Sequence, residues 1–307
     1  MSHKLLIILI FTLSFISIGF YWMSEQEKYD VQIQIDMLSK TSSLPVGTLT
    51  SFEFDDDVVD VNVKLYHSLD SLLVETVPSS TTHIRVMDTL TYLEYYSSLS
   101  DYRIIAMQPK DIELIVNPKH AHIKELNAIK GSILGISSQA SDEFLLRTVI
   151  DSQGIIGLSL DEVSIPSSAE SALMISDDLI NFGLFESPYI AYTLSNGCKS
   201  LYSFSDIMYD VYLVPVDLDN VILEKITTYL ETLNQHIEVY QDKSNDEIKN
   251  EMNRAFGKYA LESDHPKFYN LIKPDELLIN RFVTYLYATN WIDHKYPYDT
   301  LALDAFK

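Results

Sequence analysis

Three serines within five positions, Ser137, Ser138 and Ser141, are the residues best placed to do chemistry. They follow a short apolar run, Ser132–Ile136, and open an amphipathic stretch, Ser141–Ser152, that Gly154 stops. That order reads as a buried strand, a bend and a helix start. Serine hydroxyls beside the unpaired N–H groups of a helix start can hold a carboxylate, a sulfonate, a nitrate or a ring nitrogen. Plain N-capping is the competing reading, since one serine at such a place is ordinary. Asp142 and Glu143 complement the helix dipole and would repel a dianion, which weighs against phosphate or phosphonate.

A second corner is Glu186-Ser187-Pro188-Tyr189, again a strand end meeting a helix start. Glu186 suits an ammonium or a ring N–H, and Tyr189 suits a planar group. A capping acid and a packed tyrosine are the plainer alternative. Asp88 and Thr89 stand at the end of a third strand, His83–Met87. His67-Ser68 and Ser43 hold similar places after two earlier strands, and each of these could equally be a cap. No nucleophile elbow, P-loop or dinucleotide glycine fingerprint is present. His120 and His122 form the one close histidine pair, and their spacing on a helix points the rings apart. The expectation is therefore a binding protein with no catalytic residue, no cofactor and no metal.

These residues need elements to position them. Val31–Asp36 and Val58–Tyr66 alternate apolar and polar residues as half-buried strands do. Ser42–Gly47 reads as a loop and Asp55-Asp56-Asp57 as an acidic turn. Helices are expected over Ser68–Val77, Thr89–Ser97, His120–Ile129, Ser167–Ser176 and from Pro188 to Gly197. Arg103–Met107 and Ile112–Val116, separated by Pro109, read as two strands crossing between lobes. Val163–Ile165 and Leu179–Phe185 are strands, and Leu201–Phe204 and Tyr209–Val214 cross back. From Asp217 onward the pattern is helical, with an apolar stripe at Ile222, Ile226, Leu230, Leu233 and Ile237. Ser244-Asn245-Asp246-Glu247 is a capping box, and Pro274-Asp275-Glu276 opens a last helix. Alternating strands and helices imply an α/β fold with mostly parallel sheets. The two crossings imply two lobes on a two-strand hinge with a cleft between them. Lobe 1 is expected over 30–107 plus 208–307 and lobe 2 over 108–207.

Composition narrows the partners. The 307 residues carry 22 basic and 44 acidic side chains, a formal net charge of -22. A nucleic-acid surface or an anionic lipid face needs the opposite sign. Cys198 is the only cysteine, so no intrachain disulfide or thiolate metal cluster forms. Leu5 to Met23 is nearly all apolar, preceded by Lys4 and followed by Glu25 and Glu27. Positive-inside logic puts the body outside the cytoplasm. Residues 1–24 are a signal peptide with small residues near Ser17-Ile18-Gly19, or an uncleaved anchor with Tyr21-Trp22 at the interface. The expected location is periplasmic, with tethering to the inner membrane through residues 5–23 as one of those two fates. No cysteine follows the segment, which rules out a lipoprotein tether.

Three stretches together resemble the solute-binding proteins of ABC importers, in particular the nitrate, sulfonate, taurine and thiamine-precursor binding group. IKGSILGISSQASDEFLLRTVIDSQGI is similar to that group's turn, strand and serine-rich helix start. INFGLFESPYIAYTLSNGCKSLYSFSDI is similar to its strand, Glu-Pro-Tyr corner, helix and strand, with Ser187 inserted and Cys198 in place of an alanine. VMDTLTYLEYY is similar to the end of the third strand and the helix after it. The resemblance covers roughly residues 31–307. It implies a type II periplasmic-binding fold with C-terminal helices, preceded here by the N-terminal hydrophobic helix. It also implies a monomer that closes on one small polar or anionic solute and hands it to an ABC permease. By position, Thr89, Ser137, Ser138, Ser141, Glu186 and Tyr189 would line the cleft. A membrane-anchored sensory or accessory protein with the same fold is the alternative.

Overall fold

The computed structural model describes residues 32–38, 40, 42–55, 57–74, 82–123, 133–136, 139–152, 161–165, 167–256 and 266–306. The N-terminal apolar segment, Ser137 and Ser138 lie outside them. Among the described residues no helix is long and apolar enough to cross a membrane.

One nine-stranded sheet organises these residues, in the order β2-β3-β1-β4-β9-β5-β8-β6-β7. Its first half holds β1 (Ile33–Leu38), β2 (Ser51–Phe54), β3 (Asp57–Tyr66) and β4 (Thr82–Asp88). Its second half holds β6 (Ile133–Ile136), β7 (Asp161–Ser164) and β8 (Phe182–Phe185). Strands joined by crossovers are parallel: β1 with β3 and β4, and β6 with β7 and β8. Antiparallel pairing belongs to the edge strand β2 and to two long strands, β5 (Tyr102–Val116) and β9 (Lys199–Pro215).

β5 and β9 pair along their whole length and join the halves. Near one end β9 borders β4, at Arg85–Asp88, and near the other β5 borders β8, at Glu113–Val116. Sequence patterning predicts a break at Pro109, but Pro109 pairs with Tyr209 inside a continuous strand. Proline is tolerated there because β8 pairs with β5 only from Glu113 onward, so no ladder bond is asked of the missing N–H. The register shifts between Lys110 and Ile112, an irregularity of the kind that bends a strand, where the chain passes from one half to the other.

Helices cover both faces. The segment expected as a loop at Ser42–Gly47 is instead a helix, α1 (Ser43–Thr48). Its buried Leu44, Pro45 and Val46 dock it on the sheet's apolar face, and that tertiary burial outweighs poor local propensity. α2 (Leu69–Val74) is capped by Ser68, whose Oγ accepts from Ser71 N, and α3 (Thr89–Glu94) follows β4. α4 (Gln139–Ser152), α5 (Ser168–Ser176) and α6 (Tyr189–Ser195) belong to the second half. α7 (Asn220–Gln241) buries Ile226, Tyr229, Leu230, Leu233, Ile237 and Tyr240 against β1, β3 and β4, close to the stripe read from sequence. α8 (Asn245–Phe256), α9 (Glu276–Ala288) and α10 (Tyr298–Leu301) complete the chain. Glu247 reaches back to Ser244 N at 3.0 Å, which is the acidic half of the expected capping box. Gly135 in β6 has no room for a side chain: a Cβ would sit 2.6 Å from Ile180 Cδ1 and 2.7 Å from Ile165 Cδ1. Of the expected helix His120–Ile129, a short 3-10 turn over Pro118–His120 is described, and residues 124–130 lie outside.

Candidate functional site

A cavity of about 240 Å³ opens between the two halves. That is just below the roughly 300–1,000 Å³ of drug-sized sites, so it suits a small solute. Its walls are the ends of parallel strands and the starts of the helices that follow. Leu38 ends β1, Tyr66 to Leu69 leave β3, and Asp88 and Thr91 flank the β4–α3 junction. Across the gap lie Ser141 and Asp142 of α4, Ser167 to Ala169 at the start of α5, and Leu184, Glu186 and Tyr189 around the β8–α6 corner. Lys110 and Ile112 of β5 form the floor. Crevices beyond strand C-termini are where open α/β sheets bind ligands.

Local chemistry sets several of these groups. Asp88 caps α3, its Oδ1 accepting from Leu90 N at 2.9 Å and Thr91 N at 3.2 Å. The same oxygen accepts from Ser141 Oγ at 2.5 Å, a direct bond across the cavity. Ser167 caps α5 by accepting from Glu170 N at 3.2 Å.

Charge is concentrated at the floor. Lys110 Nζ lies 2.8 Å from both Asp88 Oδ2 and Glu186 Oε1, and 3.6 Å from Asp210 Oδ1. Lys40 Nζ lies 2.5 Å from Asp210 Oδ2 and 3.6 Å from Glu186 Oε2. Burial alone would push Lys110 toward neutrality, but Asp88, Glu186 and Asp210 overcome it and hold the ammonium well above its usual range. Burial would likewise raise Glu186, but Lys110 and Lys40 hold it down to about 2. The cluster is therefore fully ionised at neutral pH at these two groups. Apolar packing also crosses between the halves. Phe144 of α4 sits edge-on to Phe282 and Tyr285 of α9, and Trp291 Nε1 donates to Glu143 Oε2 at 3.1 Å.

Six residues singled out from sequence line this cavity: His67, Ser68, Asp88, Ser141, Glu186 and Tyr189. Two others do not line the cavity. Ser43 is buried in α1 and donates to Lys40 O at 2.5 Å. Thr89 is fully buried and donates to Tyr209 O at 2.7 Å, because the first turn of α3 turns it toward β9. Sequence reasoning passed over Lys40, Lys110 and Asp210. A signal was available for each: a lysine just past the end of β1, a lysine beside the proline at the crossing, and an acid inside the apolar strand Tyr209–Val214. Ser167 and Ser168 repeat the pattern of hydroxyls at a helix start, which in the sequence signals only a helix boundary.

No protein-family pattern matches the sequence, and no curated protein does. Solved structures do match. The zinc-bound ligand-binding component of an ABC-type import system from Staphylococcus aureus is 12% identical, with a TM-score of 0.73 over 89% of this chain and 97% of that one. The alkanesulfonate-binding protein of Xanthomonas axonopodis pv. citri, bound to MOPS, is 14% identical, also at 0.73, over 89% and 98%. A desulfurization enzyme is 9% identical at 0.60, over 90% and 97%. At such identities the likeness is one of fold. This chain has the two-lobed α/β periplasmic-binding architecture, and that architecture serves both solute carriers and an enzyme.

Proposed function

We propose that the chain is an extracytoplasmic solute-binding protein that captures a small polar solute between its lobes and delivers it to an ABC permease. The observation that carries this is the cavity at the hinge, with ionised side chains contributed by both lobes and by β5. A ligand touching both walls favours the closed arrangement through its differential contacts, which is what a hinge-closing carrier requires. Asp88 and Glu186 are each held by a lysine, so neither stands free as a general base, and binding fits them better than turnover. Lobe 1 then comprises 30–107 plus 208–307 and lobe 2 comprises 108–207, the protein acting as a monomer. Ser137 and Ser138 join Asp88, Ser141, Glu186 and Tyr189 at the solute. Residues 5–23 hold the protein at the membrane until cleavage or permanently. The apolar Leu5–Met23 run with no cysteine directly after it also suits a membrane-anchored sensory or accessory protein.

The test is thermal unfolding of the full chain in mild detergent with a panel of small amines, amino acids, sulfonates and nitrate. A true solute at 100 times its dissociation constant adds about 2.7 kcal/mol to stability. A flat response across the panel overturns the reading. A permease that captures the loaded chain supports transport, and a signalling partner that does so supports the alternative.

A further inference from the structure

Given solute binding in the cleft, we infer that the cavity selects a solute carrying an ammonium group, as a cation or a zwitterion, and disfavours simple anions. The first reason is which charges face the space. Lys40 and Lys110 keep only 10% and 9% of their side chains exposed, whereas Glu186 keeps 28% and Asp88 12%. All four side chains line the cavity, and Glu186 is the most exposed of them.

The second reason is the balance. Around the two lysines stand Asp88, Glu186 and the buried Asp210, and Asp142 joins Asp88 and Glu186 as a third carboxylate among the cavity residues. Both ammonium groups are already in contact with acids at 2.5 and 2.8 Å. An anion would have to take a lysine from one of those acids and leave a buried carboxylate uncompensated, which is strongly unfavourable. An ammonium would instead share the three acids, Asp88, Glu186 and Asp210, that stand against two lysines.

The third reason is the state of the helix start. The N-terminus of α4 would attract an anion by its dipole. It already holds two acids of its own, Asp142 in the first turn and Asp88 through Ser141. The start of α5 is the weaker counter-case, since Ser167 caps it with a neutral hydroxyl. Around this charged floor, Tyr66 and Tyr189 with Leu38, Ile112 and Leu184 offer aromatic and aliphatic surface to the solute's body.

Three probes sharing one three-carbon body separate the possibilities: propylammonium, 3-aminopropanesulfonate and propanesulfonate. Calorimetric titration of the full chain should show the two amine-bearing probes binding at least about tenfold more tightly than propanesulfonate. Glu186→Gln removes one carboxylate partner from each of Lys40 and Lys110 and should narrow that gap, mainly by strengthening propanesulfonate. Asp142→Asn should narrow it in the same direction and stands in if Glu186→Gln melts early. Propanesulfonate binding as tightly as propylammonium, with both variants unchanged, overturns the charge selection and leaves solute binding standing. No heat from any probe with the wild type or either variant counts against both.

Discussion

Two buried polar clusters both draw on β1 and β4, and they differ in what surrounds them, the second also taking in β5, β9 and the corner after β8. The first is Asp36 of β1 with His83 of β4. Asp36 Oδ2 is 2.6 Å from His83 Nε2, and its other oxygen accepts from Gln34 Nε2 at 3.0 Å. His83 Nδ1 reaches Tyr102 OH at 3.2 Å, and the Arg85 guanidinium lies 5.2 Å from the Tyr102 ring. Asp36 has no exposure at all. The second cluster is Lys40, Asp88, Lys110, Glu186 and Asp210, which opens on the cavity. Position along the strand makes the difference. Asp36 and His83 lie inside β1 and β4, where neighbouring strands and packed helices seal them. Asp88 and Lys40 lie at or just past the C-terminal ends of the same strands, where the sheet stops and the gap begins. A sealed cluster must satisfy itself, because unpaired buried polar groups are costly. A cluster at a strand end can keep surplus charge for a ligand.

That contrast can be tested, beginning with the largest effect. Lys110→Met leaves Asp88, Glu186 and Asp210 facing one another with one partner fewer. Breaking a buried pair in this way should cost about 3–5 kcal/mol in urea unfolding at neutral pH. A loss under about 1 kcal/mol would mean that water screens the floor as it does a surface pair. Asp36→Asn should cost about 1–3 kcal/mol, the penalty of a damaged buried hydrogen bond, and leave the affinity for any cleft solute unchanged. Altered affinity would couple the sealed cluster to the site.

The pH dependence should distinguish the clusters further. Glu186 has its carboxyl lowered from 4.5 to about 2 against the pull of burial, by Lys110 and Lys40. A lowered carboxyl stabilises the fold above its unfolded value and loses that contribution as the pH falls through its folded one. Asp36 is lowered from 3.8 by its His83 and Gln34 bonds despite burial, so its contribution begins to fade at a lower pH. Lys110, raised well above 10.5, contributes throughout the neutral range and loses its contribution only as the pH climbs through that raised value. Stability measured by denaturant midpoint should fall from about pH 4.5 toward 2, and Glu186→Gln should make the upper part of that fall shallower. An unchanged profile would place Glu186 in solvent. Ser141→Ala gives the smallest effect, about 0.5–1.5 kcal/mol, from loss of the bond to Asp88. Small-angle scattering should show the variant more open, and an identical profile would mean that the remaining contacts between the lobes, at Phe144, Glu143 and Glu186, hold them.

Much of the site's frame was legible before any tertiary contact was known. The serine-rich start of α4, the Glu186 corner and Asp88 at the end of β4 each have a local signature: an apolar run, then a polar residue able to cap. Capping spans only two or three residues, so sequence carries it directly. The helix at Ser43–Thr48 was not legible, because a proline and a glycine weaken it locally and burial against the sheet decides it. Thr89 was misplaced for a related reason: its direction depends on the first turn of α3 and on Tyr209, a residue far along the chain.

By itself the sequence determined the β/α alternation, the two crossings, the amphipathic face of α7 and the capping residues, all of which follow from neighbours within a few positions. Only the tertiary structure decided that β5 and β9 run unbroken past Pro109, and that positions 40, 88, 110, 186 and 210 meet at one point. Ion pairs depend on distance through space and leave no periodicity in the chain. A lysine's carboxylate partners, and hence the sign of charge that faces the cavity, are set when the sheet brings distant strand ends together.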